Sequence, residues 1–88
     1  MTWNIKLEVG ALRELKKLDK TIRRRIEQFI DQLAIEENPR ARGIALQGKT
    51  YDGLWRYRVG DYRLICQIQD QELIILVVEI GHRGNIYR

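Results

Sequence analysis

The sequence predicts an α+β fold in which two N-terminal helices pack on a mainly antiparallel four-stranded sheet, in the order β-α-α-β-β-β. Apolar residues recur at helical spacing between about residues 9 and 38, and on both sides of that segment they alternate with polar residues. A chain of 88 residues suffices for one hydrophobic core. We therefore expect a single domain over residues 1–88.

The first strand and the first helix are both short. Residues 2–7 alternate between apolar and polar side chains, which predicts a half-buried strand. From about Val9 to Leu18 the spacing becomes helical, and Leu12, Leu15 and Leu18 are expected to point inward.

A second helix follows, with Asp19 as its N-cap residue. Asn38-Pro39 closes it, because a proline disfavours helical geometry in the residue before it. The run Arg23-Arg24-Arg25 lies beside the apolar stripe, either as a solvated face or as a patch that faces phosphate or the ribosome. The stripe recurs at helical spacing and consists of Ile22, Ile26, Phe29, Ile30 and Leu33.

Three strands are predicted after a glycine-punctuated loop at residues 40–53. They run from Leu54 to Val59, from Tyr62 to Gln69 and from Leu73 to Ile80. The last of them is apolar on both faces, which is typical of a central strand.

Two of these strands form a hairpin that gathers arginines. Gly60-Asp61 is a two-residue turn signal, so Arg58 faces Arg63, and Arg56 lies two residues along the same face. The other face is apolar and core-like, and it includes Cys66, which we expect to be inert.

Opposed like charges destabilise a sheet, and several arrangements would relieve them. The arginines either splay into water, pair with helix carboxylates, or form an anion site that holds a phosphate between Arg58 and Arg63. The nearest acidic candidates are Asp61 and Glu79, and a tight Asp70-Gln71 turn would direct Glu79 to the opposite face.

Composition excludes several classes of function. The longest apolar run is far shorter than the roughly 20 residues of a membrane span, and the N-terminus lacks a signal-type segment, so we expect a cytoplasmic protein. One cysteine and one histidine cannot build a disulfide framework or a structural zinc site. The net charge of +4 favours a polyanionic partner such as nucleic acid, or an acidic protein.

Residues 81–88 leave the apolar pattern and have the composition of a site. Histidine is the side chain that titrates nearest neutral pH, so His82 could give or take a proton, although a lone histidine is more often structural. Tyr87 could stack on a base or ribose, or pack at the chain end.

The whole pattern resembles the RelE/ParE superfamily of bacterial and archaeal toxins. The resemblance rests on the run GLWRYRVGDYRL at residues 53–64 and on Gly81-His82-Arg83 followed by a tyrosine. It extends over nearly the whole chain, through the Leu-rich first helix and the Arg-rich second helix. The interval from Arg83 to Tyr87 is shorter than in the family pattern, and the chain ends at Arg88 without the further C-terminal helix of some relatives.

The resemblance implies the toxin of a type II toxin–antitoxin system, held inactive in a hetero-oligomer by a cognate antitoxin that we expect to be small and acidic. A RelE-type member implies a ribosome-dependent, metal-independent endoribonuclease that cuts mRNA in the A site and inhibits translation and growth. A ParE-type member implies a DNA gyrase inhibitor without nuclease activity. A third alternative is a degenerate homologue that only binds antitoxin or regulates.

The resemblance also suggests roles for individual residues. Arg63 and Arg83 match arginines that stabilise the cleaved phosphate, and Tyr87 matches a tyrosine that stacks on the substrate or aids proton transfer. An arginine is no base near neutral pH, so the proton goes to His82, Tyr87, the ribosome or water. The candidate catalytic residues are therefore Arg63, Arg83, Tyr87 and His82, the candidate RNA-binding residues are Arg56, Arg58, Lys49 and Arg88, and no cofactor or metal is expected.

Overall fold

A computed structural model of the chain describes residues 2–82. The elements in chain order are β1 (Asn4–Leu7), α1 (Val9–Lys17), α2 (Lys20–Ala34), a 3₁₀ turn (Pro39–Arg42), β2 (Ile44–Ala45), β3 (Trp55–Val59), β4 (Tyr62–Gln69) and β5 (Ile74–His82). The strands form one sheet in the spatial order β1-β5-β4-β3-β2. β1 is parallel to β5, and the other neighbouring strands are antiparallel.

The predicted α+β fold is confirmed, with one strand more than expected. β2 lies inside the segment predicted as a loop, where Ile44 pairs with Arg56 and Ala45 with Trp55. Two residues are too few to display an alternating pattern, so this strand leaves no signal in the sequence. The strand that is apolar on both faces, β5, lies between β1 and β4, away from the sheet edges as predicted.

Both helices pack on one face of the sheet, and α1 corrects one predicted contact. Ala11 and Leu15 are buried, whereas Leu12 is 40% exposed, so the prediction that Leu12 points inward is wrong. The inward row of α1 is instead Ala11, Leu15 and Leu18, at the spacing i, i+4 and i+7. Within residues 2–82 no helix is both long and apolar enough to cross a lipid bilayer.

Helix α2 has the predicted cap and stripe, but it ends at Ala34, so the prediction that Asn38-Pro39 closes it is wrong; Asn38 instead caps the 3₁₀ turn that begins at Pro39. The carboxylate of Asp19 accepts hydrogen bonds from the backbone N–H groups of Thr21 and Ile22, each at 3.4 Å. Ile26 and Leu33 are fully buried, and the other members of the predicted stripe pack against the core from its rim.

The core between helices and sheet is centred on Tyr57. Its ring is fully buried at 5.6 Å from the ring of Phe29, and its hydroxyl donates a 2.8 Å hydrogen bond to the carbonyl of Pro39. Cys66 is also fully buried, and this burial raises the pKa of its thiol to about 12. The thiol therefore stays protonated at neutral pH, in agreement with the expected inert role.

Candidate nucleic-acid interface

The β3–β4 hairpin has the predicted turn and register. Gly60 has φ +60°, and Asp61 has a negative φ, as in the type II′ turn that suits a two-residue hairpin. Val59 pairs with Tyr62, and Arg58 pairs with Arg63. Arg58 and Arg63 therefore stand side by side on the sheet face opposite the helices, which we call the outer face.

Three arginines on the outer face keep their charges available. Arg58 is exposed, and Arg56 and Arg63 are partly exposed. Arg58 Nε donates a 3.3 Å hydrogen bond to the carbonyl of Gly60, at the end of its own strand. Across residues 2–82, none of the three forms an ion pair with a carboxylate, Asp61 and Glu79 included. These guanidinium groups can therefore bind an external anion without first breaking such a pair.

Glu79 corrects a prediction about this face. Cys66 pairs with Val77 and Ile65 with Glu79, so Val78 is an extra residue that forms a β-bulge. The four-residue turn before β5 would have kept Glu79 on the helix side, but the bulge reverses it to the outer face. Partial burial raises the pKa of the Glu79 carboxyl.

Ile65 lies on the outer face and is not among the predicted site residues. It is fully buried although it lies on the side away from the helices. Its neighbours across the sheet are Arg56 on β3 and Glu79 on β5. Ile65 gives the outer face a rigid apolar centre. Its one signal in the sequence is an isoleucine between Arg63 and Gln67, at a position where the alternating pattern places polar residues.

His82 lies on the other side of the sheet from these arginines. It pairs with Tyr62, whose side chain packs against the core, and the two rings meet edge to face with centroids 5.1 Å apart. Arg63 pairs instead with Gly81. The geometry therefore favours a packing role for His82, and the structure does not bring its ring to the outer face.

A cavity of about 570 Å³ opens beside His82. β1 ends at Leu7, opposite Val77, so the later residues of β5 face α1 across this cavity. It is lined by Gly10, Glu14, Leu18, Tyr62, Val78, Glu79, Ile80, Gly81 and His82. Among residues 2–82, His82 is the one predicted site residue that lines this cavity. The outer-face arginines do not line it.

The remaining predicted site residues lie apart from this group. Lys49 is exposed in the loop between β2 and β3. Arg83, Tyr87 and Arg88 lie outside the described residues. The described part of the predicted site is thus Arg56, Arg58 and Arg63 together, with Lys49 and His82 elsewhere.

The fold of two helices on a five-stranded sheet is shared with small toxins solved in toxin–antitoxin complexes. The sequence matches the family model of the ParE toxin of type II toxin–antitoxin systems, parDE, over residues 5–87. The chain belongs to the RelE/ParE toxin superfamily.

Individual relatives agree with this membership. A RelE-like toxin protein of Escherichia coli is 31% identical over 89 aligned positions, covering 99% of this chain and 92% of the relative. The mRNA interferase toxin RelE of Escherichia coli K12 is 26% identical over 83 positions, covering 94% of this chain and 85% of the relative. The fold is similar to that in the crystal structure of the RelBE2 toxin–antitoxin complex of Mycobacterium tuberculosis, with a TM-score of 0.83, 26% identity, and coverage of 94% of this chain and 100% of the other.

Proposed function

We propose that this protein is the toxin of a toxin–antitoxin pair and acts as a ribosome-dependent, metal-independent endoribonuclease on mRNA. The observation that carries the proposal is the outer face, where Arg56, Arg58 and Arg63 stand together without carboxylate partners among residues 2–82. The similarity to an mRNA interferase over 94% of this chain supports the reaction class.

The proposed reaction is an internal transesterification. The ribose 2′ oxygen bonds to the adjacent phosphorus and loses its proton, while the bond from phosphorus to the 5′ oxygen breaks and that oxygen takes up a proton. The products are a 2′,3′-cyclic phosphate and a free 5′-hydroxyl. Negative charge accumulates on the phosphoryl oxygens in the transition state, where guanidinium donors stabilise it.

In this proposal Arg63 contacts the scissile phosphate, and Arg56 and Arg58 hold the RNA backbone. The guanidinium is a planar fork that can donate two parallel hydrogen bonds to one phosphate, and it stays charged at every relevant pH. Arg83 and Tyr87 keep the roles that the family resemblance suggests, and the proton passes through Tyr87, the ribosome or water. His82 supports the strand end through Tyr62.

Ribosome dependence follows from how little of the reaction geometry the toxin itself would fix. An open sheet face can hold phosphates but does not enclose the ribose and the leaving group. Correct alignment of reacting groups is worth about 7–11 kcal/mol, and a ribosome that holds the message would supply it.

The first prediction concerns cleavage of a translated message. Induced expression of the wild type should cut the transcript, and Arg63→Ala should lower the cleavage rate about 10²-fold, as loss of one transition-state donor does. Primer extension on the message, with purified programmed ribosomes and naked RNA compared side by side, measures both the rate and the ribosome dependence. Arg24→Ala removes the same charge from an exposed position on α2 and is the matched control.

Equal cleavage by Arg63→Ala and Arg24→Ala would remove Arg63 from the reaction. Equal cleavage of naked and ribosome-bound RNA by the wild type would contradict the ribosome dependence.

A second candidate function is inhibition of DNA gyrase, because the matching family model is that of the ParE toxin. On this alternative, expression leaves transcripts intact and lowers supercoiling, and Arg63→Ala retains full toxicity. A supercoiling assay beside the primer extension distinguishes the two functions.

The proposed partner is a small acidic antitoxin. The net charge of +4 and the unpaired arginines of the outer face call for an anionic ligand. The similar structure from Mycobacterium tuberculosis is a toxin–antitoxin complex. Co-expression with the product of an adjacent short reading frame should relieve growth arrest and yield a complex that co-purifies.

A further inference from the structure

We infer that Arg25 of α2 belongs to the phosphate-binding surface and contacts an RNA phosphate adjacent to those held by Arg58 and Arg63. The inference rests on the proposed function and extends its binding surface around the β3–β4 turn. The run Arg23-Arg24-Arg25 is compatible in sequence with a solvated face or with a patch that faces phosphate or the ribosome, and the fold separates its members.

The geometry singles out Arg25 from its neighbours. A Cβ atom built on Gly60 would lie 3.2 Å from Nη1 of Arg25 and 3.5 Å from its Cζ. The guanidinium group of Arg25 therefore lies against the turn, although its backbone belongs to the helix layer. Arg24 points elsewhere, because successive residues of a helix are rotated by about 100°.

Two guanidinium groups thus meet at one residue. Arg58 Nε donates to the carbonyl of Gly60, and Arg25 lies against the side of Gly60 from which a side chain would project. Arg63 stands beside Arg58 in the sheet. Arg25, Arg58 and Arg63 are thus arranged around the β3–β4 turn, and we call these three residues the turn cluster.

The turn cluster retains its charge in the folded protein. Arg25 is exposed, and within residues 2–82 it forms no ion pair, even though Asp61 follows Gly60 directly. Holding three unneutralised guanidinium groups together is unfavourable in the free protein and favourable once a polyanion is bound. The three side chains come from two layers of the fold, so successive phosphates of one strand can contact them better than a single phosphate can. The ligand that fits the turn cluster is therefore a single-stranded RNA backbone.

Glycine at position 60 is part of this arrangement. Its positive φ suits the turn, and its lack of a side chain lets the Arg25 guanidinium pack closely against the turn. A methyl group at position 60 would press on the tip of Arg25, which would shift by a few tenths of an ångström.

The test is the salt dependence of binding to an uncleavable RNA. The probe is a short fluorescent oligouridylate with 2′-O-methyl groups, which removes the attacking hydroxyl, and binding is followed by anisotropy over a range of salt. Each phosphate contact contributes about 0.7 to the slope of log affinity against log salt for single strands. Arg25→Ala should reduce the magnitude of the slope by about 0.7. Arg25→Lys, which retains the charge, should keep the slope.

Arg24→Ala is the matched control, and its slope should equal that of the wild type.

Equal slopes for Arg25→Ala and Arg24→Ala, with a reduced slope for Arg63→Ala, would overturn this inference and leave the proposed function intact. A wild-type slope for Arg63→Ala and Arg58→Ala as well would overturn both.

Discussion

At the scale of single residues, Glu79 places an acidic side chain on the sheet face that carries the outer-face arginines. The β-bulge brings this carboxylate to the outer face, where Glu79 lies in one cross-strand row with Ile65 and Arg56. It forms no ion pair among residues 2–82, and burial raises its pKa. The ionised carboxylate is therefore less stable in the folded chain than in the unfolded chain.

Glu79→Gln should consequently stabilise the protein at neutral pH. A raised pKa means that the folded state retains a proton that the unfolded state releases, so wild-type stability declines as the pH rises from 4.5 through the folded-state pKa. The glutamine variant lacks this decline. Urea midpoints at pH 7 and near pH 4 should show an advantage of the variant at pH 7 that shrinks at the lower pH. An advantage that grows on acidification would refute the assignment.

At the scale of elements, the attachment of β2 to the sheet depends on a close contact at Gly43. A Cβ atom at this position would lie 2.9 Å from Cε1 and 3.0 Å from Cζ of Tyr57, and 3.2 Å from the carbonyl oxygen of Arg56. Tyr57 cannot retreat easily, because it is fully buried and its hydroxyl is bonded to Pro39. The contact also fixes the path of the chain from the 3₁₀ turn into β2.

Gly43→Ala should therefore lower the free energy of unfolding by about 1–3 kcal/mol, the usual cost of overpacking. The urea midpoint should fall with an unchanged m-value. Gly10→Ala provides the control, since a methyl group on this helical residue meets no atom within 4 Å. That variant should gain about 0.5–1 kcal/mol from the lower entropy of its unfolded chain. Equal effects of the two substitutions would show that the contact with Tyr57 is unimportant.

The elements also show which parts of the fold a sequence can predict. The hairpin register and the cap and stripe of α2 depend on local chemistry, namely Gly60-Asp61, Asp19 and helical spacing, and all three are confirmed. The bulge at Val78 is invisible because β5 is apolar on both faces, so a change of face leaves no change in the pattern. The contact between Arg25 and the turn joins distant segments, and no periodicity within either segment encodes it.

At the scale of the whole molecule, positive charge is neutralised unevenly. The ion pairs of residues 2–82 are Lys17–Glu14, Arg40–Asp70 and Arg42–Glu36, and all of them lie outside the turn cluster. The Arg40–Asp70 pair is bidentate, at 2.8 and 2.7 Å, and it lowers the pKa of the Asp70 carboxyl. Two of these pairs join separate segments and the Lys17–Glu14 pair lies within α1, whereas the arginines where we propose that RNA binds take part in none of them.

This distribution predicts opposite effects of one substitution on stability and on function. Arg63→Gln removes one of two directly opposed like charges and keeps part of the aliphatic stem beside Ile65. It should stabilise the free protein by about 0.5 kcal/mol, which corresponds to an increase in Tm of about 2–4 °C for a domain of this size. Thermal melting gives the Tm of Arg63→Gln and of the control Arg24→Gln relative to the wild type. In a cleavage assay on the same preparations, Arg63→Gln should lose message cleavage and Arg24→Gln should retain it.

Added sulfate extends the same argument to the bound state. An anion that binds only the folded protein raises its Tm by mass action. Sulfate should therefore raise the Tm of the wild type more than that of Arg63→Gln. The Tm difference between the two proteins should then shrink or change sign. If Arg63→Gln were instead less stable than the wild type without any anion, the paired arginines would be stabilising the sheet. The outer face would then be a structural feature, and the strain that we propose RNA relieves would not exist.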